Sequence, residues 1–171
     1  MPAGRPAENS GVRRFRFPLL VSLLAAILLT GCVKRGRPTL PPPPPPPATG
    51  ASVVAVARSF IGTPYRNGGA DPGGFDCSGF TQYVFAQFGA ALPRTVLEQA
   101  AAGDRVDRQD LREGDLVFFA IDGRTISHVG IAVSADRFVH APSSRGSVRE
   151  ESLGVTYWRK SYAAARRLVR R

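Results

Sequence analysis

Seven consecutive prolines, Pro41 to Pro47, divide the chain. Such a run offers no backbone N–H and fixes every φ, so no helix or sheet ladder passes through it. It adopts extended polyproline II at about 3.1 Å per residue, a stiff spacer of roughly 20 Å. A ligand for a proline-recognition domain is the other use of such a run. Either way, the segments before and after it must fold or function separately.

The upstream segment reads as an address. Arg13, Arg14 and Arg16 precede an apolar run from Phe17 to Leu29, which ends in Leu29-Thr30-Gly31-Cys32. A basic region, a short apolar core and small residues make a secretory signal. The run is shorter than the about 20 residues that a comfortable spanning helix needs. Leu29-Thr30-Gly31-Cys32 resembles the lipobox of bacterial lipoproteins, in which the cysteine is acylated, palmitate among the acyl groups, and becomes the new N-terminus. A plain signal peptide, or an uncleaved anchor with Cys32 incidental, is the alternative. The expected organisation is a lipoprotein signal peptide over 1–31, lipidated Cys32 with a Pro-rich linker over 32–50, and a folded domain over 51–171. Several acyl chains hold a protein stably on a membrane. Lys34, Arg35 and Arg37 lie where they can touch anionic headgroups.

Charge narrows the partners. The formal net charge is +10, and loss of residues 1–31 removes four arginines and one glutamate, leaving about +7. The basic groups are scattered apart from Arg166, Arg167, Arg170 and Arg171. No basic helix with interleaved aromatics is present, which argues against nucleic acid. Lipid headgroups and cell-wall polymer are the polyanions an exported protein meets.

Downstream of the spacer, helical signals come first. Thr49 or Ser52 can cap a helix over Val53, Val54, Val56, Ala57 and Phe60, closed by Gly62. Thr63 to Gly74 holds two prolines and four glycines and reads as a structured loop. Asp76 is a candidate N-cap for a second helix carrying Phe80, Tyr83, Val84 and Phe88, and Thr95 one for a third over Val96 to Ala102. The periodicity then changes. Leu116 to Ala120, His128 to Val133, Arg137 to Ala141, Ser147 to Glu150 and Ala163 to Val169 read as strands, with a hairpin signal at Asp122-Gly123. Helices followed by a meander argue α+β, with N-terminal helices packed on a central antiparallel sheet of about five to six strands.

The chemistry rests on few residues. The chain has two cysteines and two histidines. If Cys32 is lipidated, Cys77 has no disulfide partner, and a lone thiol in an exported protein requires an explanation. Cys77 at a helix start would gain from the partial positive charge there, and an imidazole could take its proton. His128 begins one predicted strand and His140 ends the next, so an antiparallel pair brings them together; one is then the base and the other its orienter. A buried structural thiol with ordinary histidines is the bland reading of the same residues. Zinc held by Cys77, His128 and His140 is a rival, but no Cys-x-x-Cys or His-x-x-x-His pair supports it. No metal and no cofactor is called for.

Six stretches in order carry a resemblance: Gly62-Thr63-Pro64-Tyr65 with Gly68-Gly69, Asp76-Cys77-Ser78-Gly79-Phe80, Leu92-Pro93-Arg94-Thr95, Gly114-Asp115-Leu116-Val117-Phe118-Phe119, Ser127-His128-Val129-Gly130-Ile131 and Phe138-Val139-His140-Ala141. Together they resemble the NlpC family of bacterial cell-wall cysteine peptidases, in particular its single-domain lipoproteins. The resemblance implies a papain-like fold, a monomer and a peptidoglycan substrate. It also implies Cys77 as nucleophile, His128 as general base, His140 as the orienting residue, and Tyr65, Asp76 and Ser78 as substrate-binding residues. The implied reaction is hydrolysis of a stem-peptide or cross-link amide to diaminopimelate. A wall-binding lipoprotein without activity, and an amidase or acyltransferase on the same fold, are the alternatives. Val33 follows Cys32 where an aspartate can signal inner-membrane retention, so the expected location is the periplasmic envelope, anchored in the outer membrane.

Overall fold

Leu116–Phe119 is buried at all four positions, and that strand organises the domain. In the computed structural model, which describes residues 47–169, it lies near the middle of a sheet covered on both faces. A strand buried on both faces reads as a continuous apolar run, as Leu116-Val117-Phe118-Phe119 does. Residues 1–46, which carry the expected signal peptide, Cys32 and most of the expected linker, lie outside the described residues.

The elements in order are α1 (Gly50–Ser59), β1 (Ala70–Asp71), β2 (Gly74–Phe75), α2 (Cys77–Ala86), α3 (Val96–Ala100), β3 (Asp104–Val106), β4 (Leu116–Phe119), β5 (His128–Ala132), β6 (Arg137–His140), β7 (Arg149–Ser152), α4 (Thr156–Ser161) and β8 (Tyr162–Arg167). The main sheet is antiparallel in the order β3-β8-β4-β5-β6-β7; β1 and β2 form a separate small hairpin. This is the papain-like α+β arrangement that the sequence predicts, with six strands in the main sheet.

Side chains alternate across the sheet. Leu116, Phe118, Val129, Ile131 and Val139 face α1 and α2, meeting Val53, Ala57, Phe80 and Val84. Val117, Phe119 and Phe138 face the other way, against Leu153 and Trp158. Burying each of these large apolar side chains contributes about 1.5–3 kcal/mol of transfer free energy.

Both proposed caps of α1 are used. The Thr49 hydroxyl accepts from the Ser52 N–H at 3.1 Å, and the Ser52 hydroxyl accepts from the Thr49 N–H at 2.9 Å. Thr95 caps α3 with Glu98 in the same reciprocal way, but that helix stops at Ala100 and not at Ala102. Other elements depart further from expectation. The strand expected at Ser147 to Glu150 is displaced, because Val148 pairs with the 62–63 loop and β7 starts only at Arg149. The loop from Thr63 to Gly74 contains the β1–β2 hairpin. The short β3 and α4 were not expected at all.

Candidate active site

Asp76 fixes the start of α2. Its Oδ1 accepts from the Gly79 N–H at 2.7 Å, a side-chain N-cap that puts Cys77 at the first helical position. Arg94 grips the same carboxylate with two nitrogens, Nη1 to Oδ1 at 3.0 Å and Nη2 to Oδ2 at 2.5 Å. Arg94 Nη1 also donates to the Ser78 hydroxyl at 2.8 Å. Asp76 and Ser78 are therefore occupied with Arg94, whose own side chain is 39% exposed.

Gly79 is needed for a close approach. A Cβ there would lie 2.0 Å from the Gly69 carbonyl oxygen. The same carbonyl accepts from the Asp76 N–H at 3.0 Å, so the glycine-rich loop lies against the first turn of α2. Tyr65 comes from that loop, bridged to Phe75. Burial pushes its phenol pKa up, and the neighbouring Cys77, when ionised, and Asp76 push it further, as expected of a ring beside the thiol.

The backbone N–H groups of Val129, Ser78 and Cys77 itself favour the thiolate form of Cys77. Cys77 lies against the start of β5, where His128 is the residue before Val129. His128 Nε2 and His140 Nδ1 are 2.8 Å apart, so the two histidines do meet across β5 and β6. Gly130 allows this. A Cβ there would stand 2.7 Å from the Phe138 ring and 3.1 Å from the His140 Cβ.

The histidines sit among aromatics that the sequence reading did not find. Trp158 of α4 stacks on His128 at 5.6 Å and meets His140 edge-on at 4.9 Å. Phe119 and Phe138 complete the surround. Glu151 of β7 holds Trp158 by accepting its indole N–H, and accepts from Arg149 Nε at 2.5 Å. A cavity of about 780 Å³ opens beside Trp158, Glu151 and Arg149; neither Cys77 nor His128 lines it.

Burial dominates the electrostatics of the site. Burial, and then the Asp76 carboxylate, raise the Cys77 thiol above its ordinary pKa and outweigh the backbone N–H groups that lower it. Burial lowers His128 to about 4, against an upward push from Glu151, and lowers His140 further still. Burial thus works against charge on Cys77, His128 and His140 alike. The helix start is present as expected, but its cap is itself an anion and the site is shielded from water.

Asp76, Cys77 and Ser78 thus open α2 beside Tyr65, His128 and His140 meet across β5 and β6, and Cys32 lies outside the described residues. A cysteine at a capped helix start, on the helix packed against the strand whose first residue, His128, hydrogen-bonds to His140 of the next strand, places the domain among papain-like α+β folds. A profile of the NlpC/P60 family matches residues 62–167. Probable endopeptidase NlpC of Escherichia coli K12 is 38% identical over 159 residues, covering 90% of this chain and 99% of that protein. Murein DD-endopeptidase MepS/Murein LD-carboxypeptidase of the same organism is 47% identical over 111 residues; the match spans 64% of this chain and 58% of that one. Among solved structures, the NlpC/p60 domain of peptidoglycan hydrolase SagA superposes with a TM-score of 0.63 at 37% identity, over 71% of this chain and all of that domain. The chain belongs to the NlpC/P60 family.

Proposed function

We propose that this chain is a lipid-anchored peptidoglycan endopeptidase that cleaves a stem-peptide or cross-link amide to diaminopimelate through Cys77, His128 and His140. Membership of the NlpC/P60 family makes it a cysteine-type cell-wall peptidase. The observation that carries the finer reading is the 2.8 Å contact between His128 Nε2 and His140 Nδ1. It engages one nitrogen of His128 and leaves Nδ1 for the proton of Cys77, whose thiol pKa the N–H of the next residue, Val129, lowers.

On this reading the thiol attacks the amide carbon while His128 Nδ1 takes its proton. Proton transfer to His128 accompanies attack. The Cys77 N–H, at the start of α2, supports the oxyanion, and the Tyr65 phenol stands beside it. His128 then protonates the departing amine, leaving a thioester on Cys77. It next removes a proton from the water that releases the acid. Asp76 and Ser78 act through Arg94, which they present as a cation to the carboxylates of the stem peptide.

The anchor is proposed on the Leu29-Thr30-Gly31-Cys32 pattern and on the extent of the match to NlpC, which is longer than the folded domain. Residues 33–50 extend at most about 60 Å, a reach suited to a polymer mesh near the outer membrane. The test is digestion of purified sacculi. The full chain should release muropeptides whose new amine lies on diaminopimelate, and Cys77→Ala should release none. Equal digestion by both proteins would refute the proposal.

A further inference from the structure

His140 is fully buried, and its Nε2 has no hydrogen-bond partner. The atom that faces it is Glu151 Oε1, 3.8 Å away. A buried ring nitrogen beside a carboxylate is an unbalanced arrangement, and its electrostatics depend on where the ring protons sit.

The contact between the histidines permits two arrangements. In one, His128 Nε2–H donates to His140 Nδ1, so the His140 proton is on Nε2 and points at Glu151. His128 Nδ1 then carries a lone pair. In the other, His140 Nδ1–H donates to His128 Nε2, and His140 Nε2 turns a lone pair towards the carboxylate. His128 then carries its proton on Nδ1 and cannot accept one from a thiol there. The first arrangement sets an N–H against an anion and the second a lone pair against it, so the charge favours the first.

We propose that Glu151 is a positioning residue that selects the proton arrangement of the histidine pair and so keeps His128 Nδ1 basic. This rests on the reading of Cys77 and His128 as nucleophile and base. Glu151 is itself well held for the task. Arg149 Nε donates to Oε1 at 2.5 Å and the Trp158 indole N–H to Oε2, while Trp158 stacks on His128. Its position follows from register, since Glu151 pairs with Phe138 and Arg149 with His140 across β6 and β7. The charged groups acting on His128 are Glu151, which favours the imidazolium, and Arg149, which opposes it; on His140 they are His128 and Arg149. The carboxylate thus also favours the cation that forms as His128 takes the proton.

The test joins two readouts on the full chain: nitrogen-15 NMR of labelled histidine, and steady-state hydrolysis of a muropeptide. In the wild type the His140 proton should reside on Nε2. Glu151→Gln keeps the shape but supports either arrangement, so a second His140 species should appear. kcat should fall about tenfold with KM unchanged. That is less than the roughly 10⁴-fold loss seen when the orienting Asp of a Ser-His-Asp triad becomes Asn, because Glu151 stands one residue further from the reacting atoms. The acid limb of the pH–rate profile should move to lower pH. Glu151→Asp, which retains the charge, should restore most of kcat. A wild-type His140 protonated on Nδ1 would overturn the proposal without recourse to any variant. So would wild-type kcat in Glu151→Gln, or a rise in KM alone, which would make Glu151 a substrate contact. If the tautomer responds to Glu151 while no muropeptide is cleaved, the assignment of function fails and the proton arrangement stands.

Discussion

Asp76 does two things that separate on mutation: it caps α2 and it places a negative charge beside the Cys77 thiol. Asp76→Ala removes both. Loss of an N-cap costs about 1 kcal/mol. The ion pair with Arg94 is discounted to about 1 kcal/mol, because Arg94 is 39% exposed and keeps its bond to Ser78. The expected loss is about 2 kcal/mol, or roughly 8 °C in Tm for a domain of this size. Asp76→Asn keeps an oxygen for the Gly79 N–H and loses only the charge, so it should cost about half as much. Burial works to raise the Asp76 pKa, but hydrogen bonds from Arg94, Gly79 and Ser78 hold the carboxyl below its ordinary value. Its stabilisation is therefore present above about pH 4, the unfolded carboxyl's range, and is lost as pH falls through the folded value, so the gap between wild type and Asp76→Ala should close in acid. Thermal melts across pH measure this. Both variants should also move the pH inflection of Cys77 alkylation by iodoacetamide downwards, because the anion that raises the thiol is gone. Equal destabilisation by Asn and Ala, or an unmoved inflection, would refute the reasoning.

Three further outcomes are expected. In the wild type, the alkylation rate read at the Cys77 peptide should show its inflection above the ordinary thiol value of about 8.5, since burial and Asp76 both raise it. Both histidine pKa values are depressed in the fold, so their contribution is complete above about pH 6.5 and is lost as pH falls towards the folded values. Denaturant titrations from pH 7 to 4 should show a shallower fall in stability in His128→Gln than in the wild type. Gly130→Ala should cost about 1–3 kcal/mol by overpacking, as its Cβ would meet the Phe138 ring at 2.7 Å. It should also reduce kcat by parting β5 from β6, measured by chemical denaturation and muropeptide turnover.

The features that were legible in the sequence are those with a local signature. Asp76 before a helical pattern located the cap and the thiol. His128 at a strand start and His140 at the next strand end gave their meeting by antiparallel geometry alone. Trp158 was invisible because α4 is six residues long and has no periodicity to read, and its place over the histidines is a tertiary fact. Glu151 was missed through register. Which of the adjacent Glu150 and Glu151 faces the histidines depends on where β7 begins, and pairing of Val148 with the 62–63 loop moves that start to Arg149. Glu150 instead binds Arg58 and Arg137. A helix start suggests a lowered thiol pKa, whereas burial and the charge of the cap push that of Cys77 upwards.

The central claim is that Cys77 is the nucleophile of an amide hydrolysis. Its most direct test is turnover of a purified stem peptide cross-linked through diaminopimelate, comparing wild type with Cys77→Ala and identifying products by mass. The account predicts a free amine on diaminopimelate with the wild type and unchanged substrate with Cys77→Ala. Cleavage by Cys77→Ala at the wild-type rate would contradict it.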